Sequence, residues 1–272
     1  MSAPAPVLEH AAPQVRRRVR RPGRLAPLAL LVGLVAVWQV WVMAAQVADY
    51  LVPAPTQIVA ALVSSRGLLA GPVLTTSAEA LLGLALGAAC GVGLAAAIAG
   101  VGLLRRLLYP LLVVSQTVPM VVLAPLLVLW FGYGLTPKVI VVALIVFFPV
   151  VVSTVGGLAG ADSEMVDLVR SMGGSRAQVL RTVLVPAAVP AFFDGLKISS
   201  AYAIAGAVVG EWVGAQNGLG VFIDRARASY AVDRVFVAVA LIAALSMALF
   251  GAVSLAARLA SPWQYVDASP RR

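Results

Sequence analysis

Few residues in this chain could carry out covalent chemistry. It has one histidine, His10, in a polar tail, and one cysteine, Cys90, inside an apolar run. Those counts nearly exclude the usual nucleophile–base pairs, and they leave no His/Cys cluster for a metal. No Gly-x-x-x-x-Gly-Lys-Ser/Thr phosphate loop occurs, so the chain itself is expected neither to bind nor to hydrolyse ATP. The chemistry left open is recognition and passage of a solute. Glu79 and Glu211 each stand near one end of a long apolar run. An acid so placed either lines the mouth of a polar path or snorkels and pairs at an interface. Trp212, next to Glu211, and Trp130 either stack on a flat solute or anchor the chain in an aromatic belt. Gln116 and Met120 bracket Pro119 and are candidates to line a path.

The densest charge lies between Asp162 and Pro190. This stretch holds Asp162, Glu164, Asp167, Arg170, Arg176 and Arg181 between long apolar segments. It cannot lie in hydrocarbon, so it must be a structured loop. Asp162 or Ser163 can cap a helix whose first turns carry Glu164 and Asp167, where the helix dipole favours acids. Met165, Val166, Leu168, Val169 and Met172 then form an apolar face. Gly173 and Gly174 end that helix. Ser175 with Gln178 makes a capping box that opens a second helix with Arg176 at its start, and Pro186 is expected to stop it. The apolar face either packs on the bundle or the lipid interface, or it docks another subunit.

Composition sets the frame around this loop. Of 272 residues, 61% are apolar and 11% charged, which fits a polytopic membrane protein. The net charge of +9 has no interleaved aromatics of the kind that would point to nucleic acid. Six spans are expected at about 25–47, 76–100, 108–131, 138–158, 195–213 and 235–257. Residues 1–24 read as a disordered basic cytoplasmic tail. An external segment with an interfacial helix near Thr56–Val63 precedes the second span. The third span contains Pro110, Pro119 and Pro125 and must kink or break. Gly83, Gly87 and Gly91, and again Gly206, Gly210 and Gly214, give bare helix faces for close packing. Only Arg66, Lys138, Arg225, Arg227 and Arg234, of twenty Lys and Arg, fall outside in this topology. The positive-inside rule therefore puts the loop and both termini in the cytoplasm.

The loop resembles the cytoplasmic Glu-Ala-Ala loop of ABC importer permeases. Asp167, Leu168 and Val169 take the Glu-Ala-Ala places, Gly173 the glycine, and Val183, Val185 and Pro186 the closing Ile-x-Leu-Pro. Asp for Glu and Leu-Val for Ala-Ala depart from that pattern. From about Thr75 to Trp263 the chain is similar to permeases of the sulfonate, nitrate and taurine class. The stretches Pro125–Gly134, Gly195-Leu196-Lys197 and Gly210–Ala215 carry that similarity. Pro137–Pro149 and Gly210–Gly214 lean toward the branch for pyrimidine precursors of thiamine.

The resemblance implies an all-α membrane protein with six transmembrane helices, the MetI-like permease fold and a coupling-helix loop over 159–194. It implies a core at 75–258, preceded by a first helix and external segment at 25–74 and followed by a C-terminal tail at 259–272. The loop residues Glu164, Met165, Asp167, Leu168, Met172, Gly173, Arg176 and Pro186 would dock a separate ATP-binding subunit. That subunit would use the ATP, and this chain would bind no cofactor. A second permease copy, an external binding protein and membrane lipid complete the implied partners, in the bacterial plasma membrane. Two other classes remain open on the residues alone. An ion-coupled secondary transporter would want buried acids or half-helices at mid-membrane. A membrane enzyme or scaffold would need no transport path.

Overall fold

A computed structural model describes residues 26–100, 102–115 and 117–266. Gln116, the basic stretch 1–24 with His10, and the last six residues lie outside the described residues. Long apolar runs leave the backbone no partner in lipid except itself, so they form helices. All regular elements among the described residues are helical: α1 (Ala26–Ala44), α2 (Pro55–Gly100), α3 (Gly102–Ser115), α4 (Met120–Phe131), α5 (Leu135–Ala159), α6 (Ser163–Ser171), α7 (Arg176–Val179), a π-helical turn (Leu180–Leu184), α8 (Val185–Glu211), α9 (Leu219–Ala228), α10 (Val232–Ala260) and α11 (Trp263–Val266). Four helical stretches, Pro55–Ala99, Leu135–Ala159, Arg176–Glu211 and Val232–Ala260, are long and apolar enough to cross a membrane; α1 and α4 are apolar but shorter.

The bundle is built around α5. It packs most extensively on α8 and α2, and α10 closes the other side of α8. Its valines Val142, Val146 and Val150 are fully buried with Ala80, Ala203 and Ala207. The glycine faces make this possible. A Cβ on Gly83 would lie 2.3 Å from Val142, and one on Gly87 2.5 Å from the Ala143 carbonyl oxygen. A Cβ on Gly206 would meet Ile145 at 2.6 Å. The first repeat, and Gly206 and Gly210 of the second, are therefore seams against α5, where backbone approaches side chain directly; Gly214, expected on the same helical face, lies beyond the end of α8 and packs on Tyr133. Large apolar side chains such as Leu129 and Met247 cover the outside of the bundle, as a lipid-facing surface requires.

Two expectations about breaks are revised, and a third, the break in the third span, is met. The external helix and the second span are one helix, α2, running through Pro72. Its 46 residues at the α-helical rise give about 69 Å, more than twice the hydrocarbon thickness of roughly 30 Å. Part of α2 therefore stands outside the apolar layer. The third span breaks once only. Its two helices meet across a non-helical stretch ending at Pro119, which sits as the N-cap of α4, while Pro110 and Pro125 lie within helices. Pro186 does not stop the second loop helix. The chain continues without interruption from Arg176 to Glu211, because the wider π turn, closed by the Val185 N–H donating to the Leu180 carbonyl, precedes a proline at the first turn of α8. There the missing N–H is tolerated.

The two ends of the bundle are distinct. At one, α5 and α8 are joined by the charged stretch containing α6 and α7. At the other, α5 begins, α8 ends and α9 caps the helices. We call them the loop end and the far end.

Candidate functional site

At the far end, three elements bring ionisable side chains into the interior. Glu79 lies on α2, Lys138 in the first turns of α5 and Glu211 in the last turn of α8. Both glutamates are 1% exposed and Lys138 is 8% exposed. The Lys138 ammonium donates to Glu79 Oε1 at 2.6 Å. Glu211 reaches the same face of α2, accepting from the Thr76 hydroxyl at 2.6 Å on Oε1. Thr76 and Glu79 are three residues apart on one helix, so they are neighbours. Glu79 Oε2 accepts from no donor among the described residues.

Glu211 also holds the loop that follows it. Its Oε2 accepts from the Gly220 N–H at 2.5 Å, and Thr76 Oγ1 accepts from the Leu219 N–H at 2.9 Å. These are free amides of the first turn of α9, which need acceptors and favour a negative partner. Gly218 precedes them with φ +135°, and a Cβ there would lie 2.2 Å from the Glu211 carboxylate. Only glycine combines that conformation with that approach. Asn217 completes the turn: its Oδ1 accepts from the Gly218 N–H at 3.0 Å, and its Nδ2 donates to Thr75 Oγ1 at 3.2 Å.

Between this clasp and the surface lies a cavity of about 690 Å³. Glu79, Lys138, Thr75, Gln216, Asn217 and the ring of Tyr133 are among its walls. Tyr133 packs over Gly214, whose φ is +82° and where a Cβ would lie 2.3 Å from the ring.

The loop end has the opposite character. The Asp162 carboxylate caps α6, accepting from the Glu164 N–H at 2.8 Å. The helix ends in a Schellman turn: Gly173 N–H donates to the Arg170 carbonyl and Gly174 N–H to the Val169 carbonyl, both at 2.9 Å, with Gly173 at φ +82°. Ser175 and Gln178 form the capping box of α7. Val166 and Val169 are half-buried, whereas Met165, Leu168 and Met172 are 49%, 53% and 80% exposed. The expected apolar face is thus divided, with the valines turned inward and the larger side chains outward. Asp167 and Arg170 pair loosely along the helix at 3.9 Å.

The structure brings Glu79 and Glu211 together; both are buried, and Glu79 is the paired acid of the two expected alternatives. It separates them from the other path candidates. Met120 packs beside Ile98, Leu112 and Phe148. Trp212 is half-exposed and Trp130 more so, and neither lines the cavity. Sequence reasoning counted Lys138 as an external charge and missed its role. The available signal was a lysine opening a run of some ten apolar residues. Such a cation must find a buried acid.

Comparison with known proteins places this arrangement. The model of the family described as "Binding-protein-dependent transport system inner membrane component" matches residues 87–261. The chain belongs to that family. Among its relatives is the formylaminopyrimidine transport permease protein ThiX of Halalkalibacterium halodurans, 35% identical over 242 residues, 88% of this chain and 96% of that protein. Another is the riboflavin transport system permease protein RibX of Chloroflexus aurantiacus, 35% identical over 256 residues, 93% and 95% of the two chains. In fold, this permease-family chain is similar to a chain in an inward-facing structure of the MetNI methionine ABC transporter. The TM-score is 0.62 at 19% identity, over 71% of this chain and 95% of the other. The MetI-like fold expected from the loop motif is therefore the fold observed, in an inner-membrane component of an ABC transporter.

Proposed function

We propose that this chain is the membrane-spanning subunit of an ATP-driven importer for a small polar organic solute. It crosses the membrane six times, with α1 and the broken α3–α4 pair completing the four long helices, and its loop end and termini lie in the cytoplasm. Two copies enclose the path, an ATP-binding subunit docks on each α6, and an external binding protein delivers the solute to the far end. A pyrimidine precursor of thiamine is the favoured solute, with sulfonate, taurine and nitrate as alternatives.

The observation that carries the proposal is α6 itself. A short, capped, charged helix presents Met165, Leu168 and Met172 to solvent, although its inner valines are already packed. Large apolar side chains on an otherwise polar loop call for a groove in a partner. Glu164, Asp167 and Arg176 rim that face, and Gly173 sets its angle to α7. When ATP draws the two partner subunits together, the α6 helices approach each other. Because α7 and α8 are one continuous helix, that movement passes directly to the bundle. The ligand-driven shift needs only that the partner grips α6 differently in its two states.

The test is co-purification with the ATP-binding subunit of the same transporter. Leu168→Asp with Met172→Asp should abolish the complex while leaving the permease folded. Full retention of the complex and of transport would overturn the docking role. Orientation is tested in a Cys90→Ser background: Arg176→Cys should react with an impermeant maleimide only from the cytoplasmic side.

A further inference from the structure

The far-end cavity has a sign, and the sign selects a solute. Glu79 and Lys138 stand in its wall, and Glu211 belongs to the same buried cluster without lining the cavity, so the cluster holds two carboxylates and one ammonium. Lys138 is already engaged at 2.6 Å with Glu79, so it offers no unpaired positive charge to an incoming anion. The hydrogen bonds that Glu211 accepts come from a neutral hydroxyl and a neutral amide; they satisfy its lone pairs without cancelling its charge. With both carboxyls ionised the cluster carries a net negative charge. Buried charge is poorly screened, and its field reaches into the adjoining cavity. Arg225 approaches the same loop, donating to the Gln216 carbonyl at 3.0 Å. Its side chain is exposed and lines a separate cavity of about 230 Å³, where solvent screens it.

The second observation is the unfilled hydrogen-bonding capacity of Glu79. This residue lines the cavity, is 1% exposed, and its Oε2 has no donor among the described residues. A buried carboxylate oxygen without a donor is costly. The remaining polar wall adds the amides of Gln216 and Asn217, which can donate and accept, and the phenol ring of Tyr133, a flat surface at the rim.

We propose that this cavity is the permease's own receiving site for the transported solute, and that it takes an uncharged or cationic molecule bearing N–H donors while rejecting sulfonates and other anions. A solute amine or amide N–H supplies the donor that Glu79 lacks, and Gln216 and Asn217 pair with the remaining polar edge. An anion at the same place meets the Glu79 carboxylate, and the one ammonium in the wall is already paired with that acid. The inference rests on the reading of the chain as an importer subunit, and it assigns to the permease a selectivity separate from that of the binding protein.

The experiment therefore omits the binding protein. The permease–ATPase complex in nanodiscs is titrated by equilibrium dialysis with radiolabelled formylaminopyrimidine and, separately, ethanesulfonate. Formylaminopyrimidine should bind at least about tenfold more tightly than ethanesulfonate. Glu79→Gln should weaken it by about tenfold or more with the complex still assembled, because the amide offers the ligand one acceptor and no charge. Asn217→Ala should weaken it by a smaller factor, with a modest loss of thermal stability from the two turn hydrogen bonds it removes. Equal or tighter binding of ethanesulfonate, no binding of formylaminopyrimidine, or indifference to Glu79→Gln and Asn217→Ala alike would overturn the proposal. Failure of the importer reading is seen separately, as a permease that does not assemble with the ATPase at all.

Discussion

The far end and the loop end of this permease-family protein solve the problem of polar groups in opposite ways. At the far end the charges are inside: Glu79, Lys138 and Glu211 are buried, and their partners come from α2, α5, α8 and α9. At the loop end the charges are outside and the apolar side chains are exposed with them. A buried polar cluster holds only one arrangement well, because each group moved leaves another unsatisfied. An exposed amphipathic helix holds no fixed arrangement with respect to anything but its partner. The contrast is that the far end fixes its own geometry from within, while the loop end leaves large apolar side chains without a partner in this chain.

The largest test of that contrast removes one member of the buried pair. Lys138→Met should cost about 3–5 kcal/mol of stability by stranding Glu79, seen as a large fall in the detergent melting temperature. Adding Glu79→Gln to the same protein should recover most of the loss; equal melting of single and double variants would show that the pair carries no coupling. Next in size is Gly218→Ala, which forces a methyl group toward the Glu211 carboxylate at a positive φ. A loss of about 2 kcal/mol is expected, with faster hydrogen exchange at Leu219 and Gly220 as its local signature. Thr76→Val deletes the hydroxyl that serves Glu211 and the Leu219 amide together and should cost about 1–3 kcal/mol. At the loop end, Gly173→Ala strains only the Schellman turn, by about 1 kcal/mol, and should reduce ATPase coupling before it reduces melting temperature. Smallest of all, Leu168→Ser should change stability by less than about 0.5 kcal/mol and yet weaken the ATPase complex measurably. If Leu168→Ser destabilised the isolated permease as Lys138→Met does, the two ends would not differ in kind.

What the sequence made legible follows the range of the interactions involved. The caps of α6 and α7, the glycine hinge and the break at Pro119 are local, and residue types at fixed spacing announce them. The glycine seams were readable as packing faces because four-residue spacing keeps them on one side of a helix. The continuity of α2 through Pro72 was not readable. A proline marks a missing donor, and whether the helix survives depends on its neighbours. Pro186 misled for a related reason: the π turn before it accommodates the ring. The clasp was half visible. Glu79 and Glu211 stand out as acids near apolar runs, but their meeting depends on α2 and α8 both packing against α5, and Lys138, the first residue of the expected fourth span and counted among the external charges, lies inside α5, which starts at Leu135.

The unbroken rod from Arg176 to Glu211 spans 36 residues, about 54 Å along its axis. A rod pivoting near its middle through some 10° swings each tip by about 5 Å, farther than a hydrogen bond can stretch. Glu211 sits at one tip, so a modest tug on the other would unlatch its grip on α9 and Thr76 in a single stroke, without any signal having to travel from side chain to side chain.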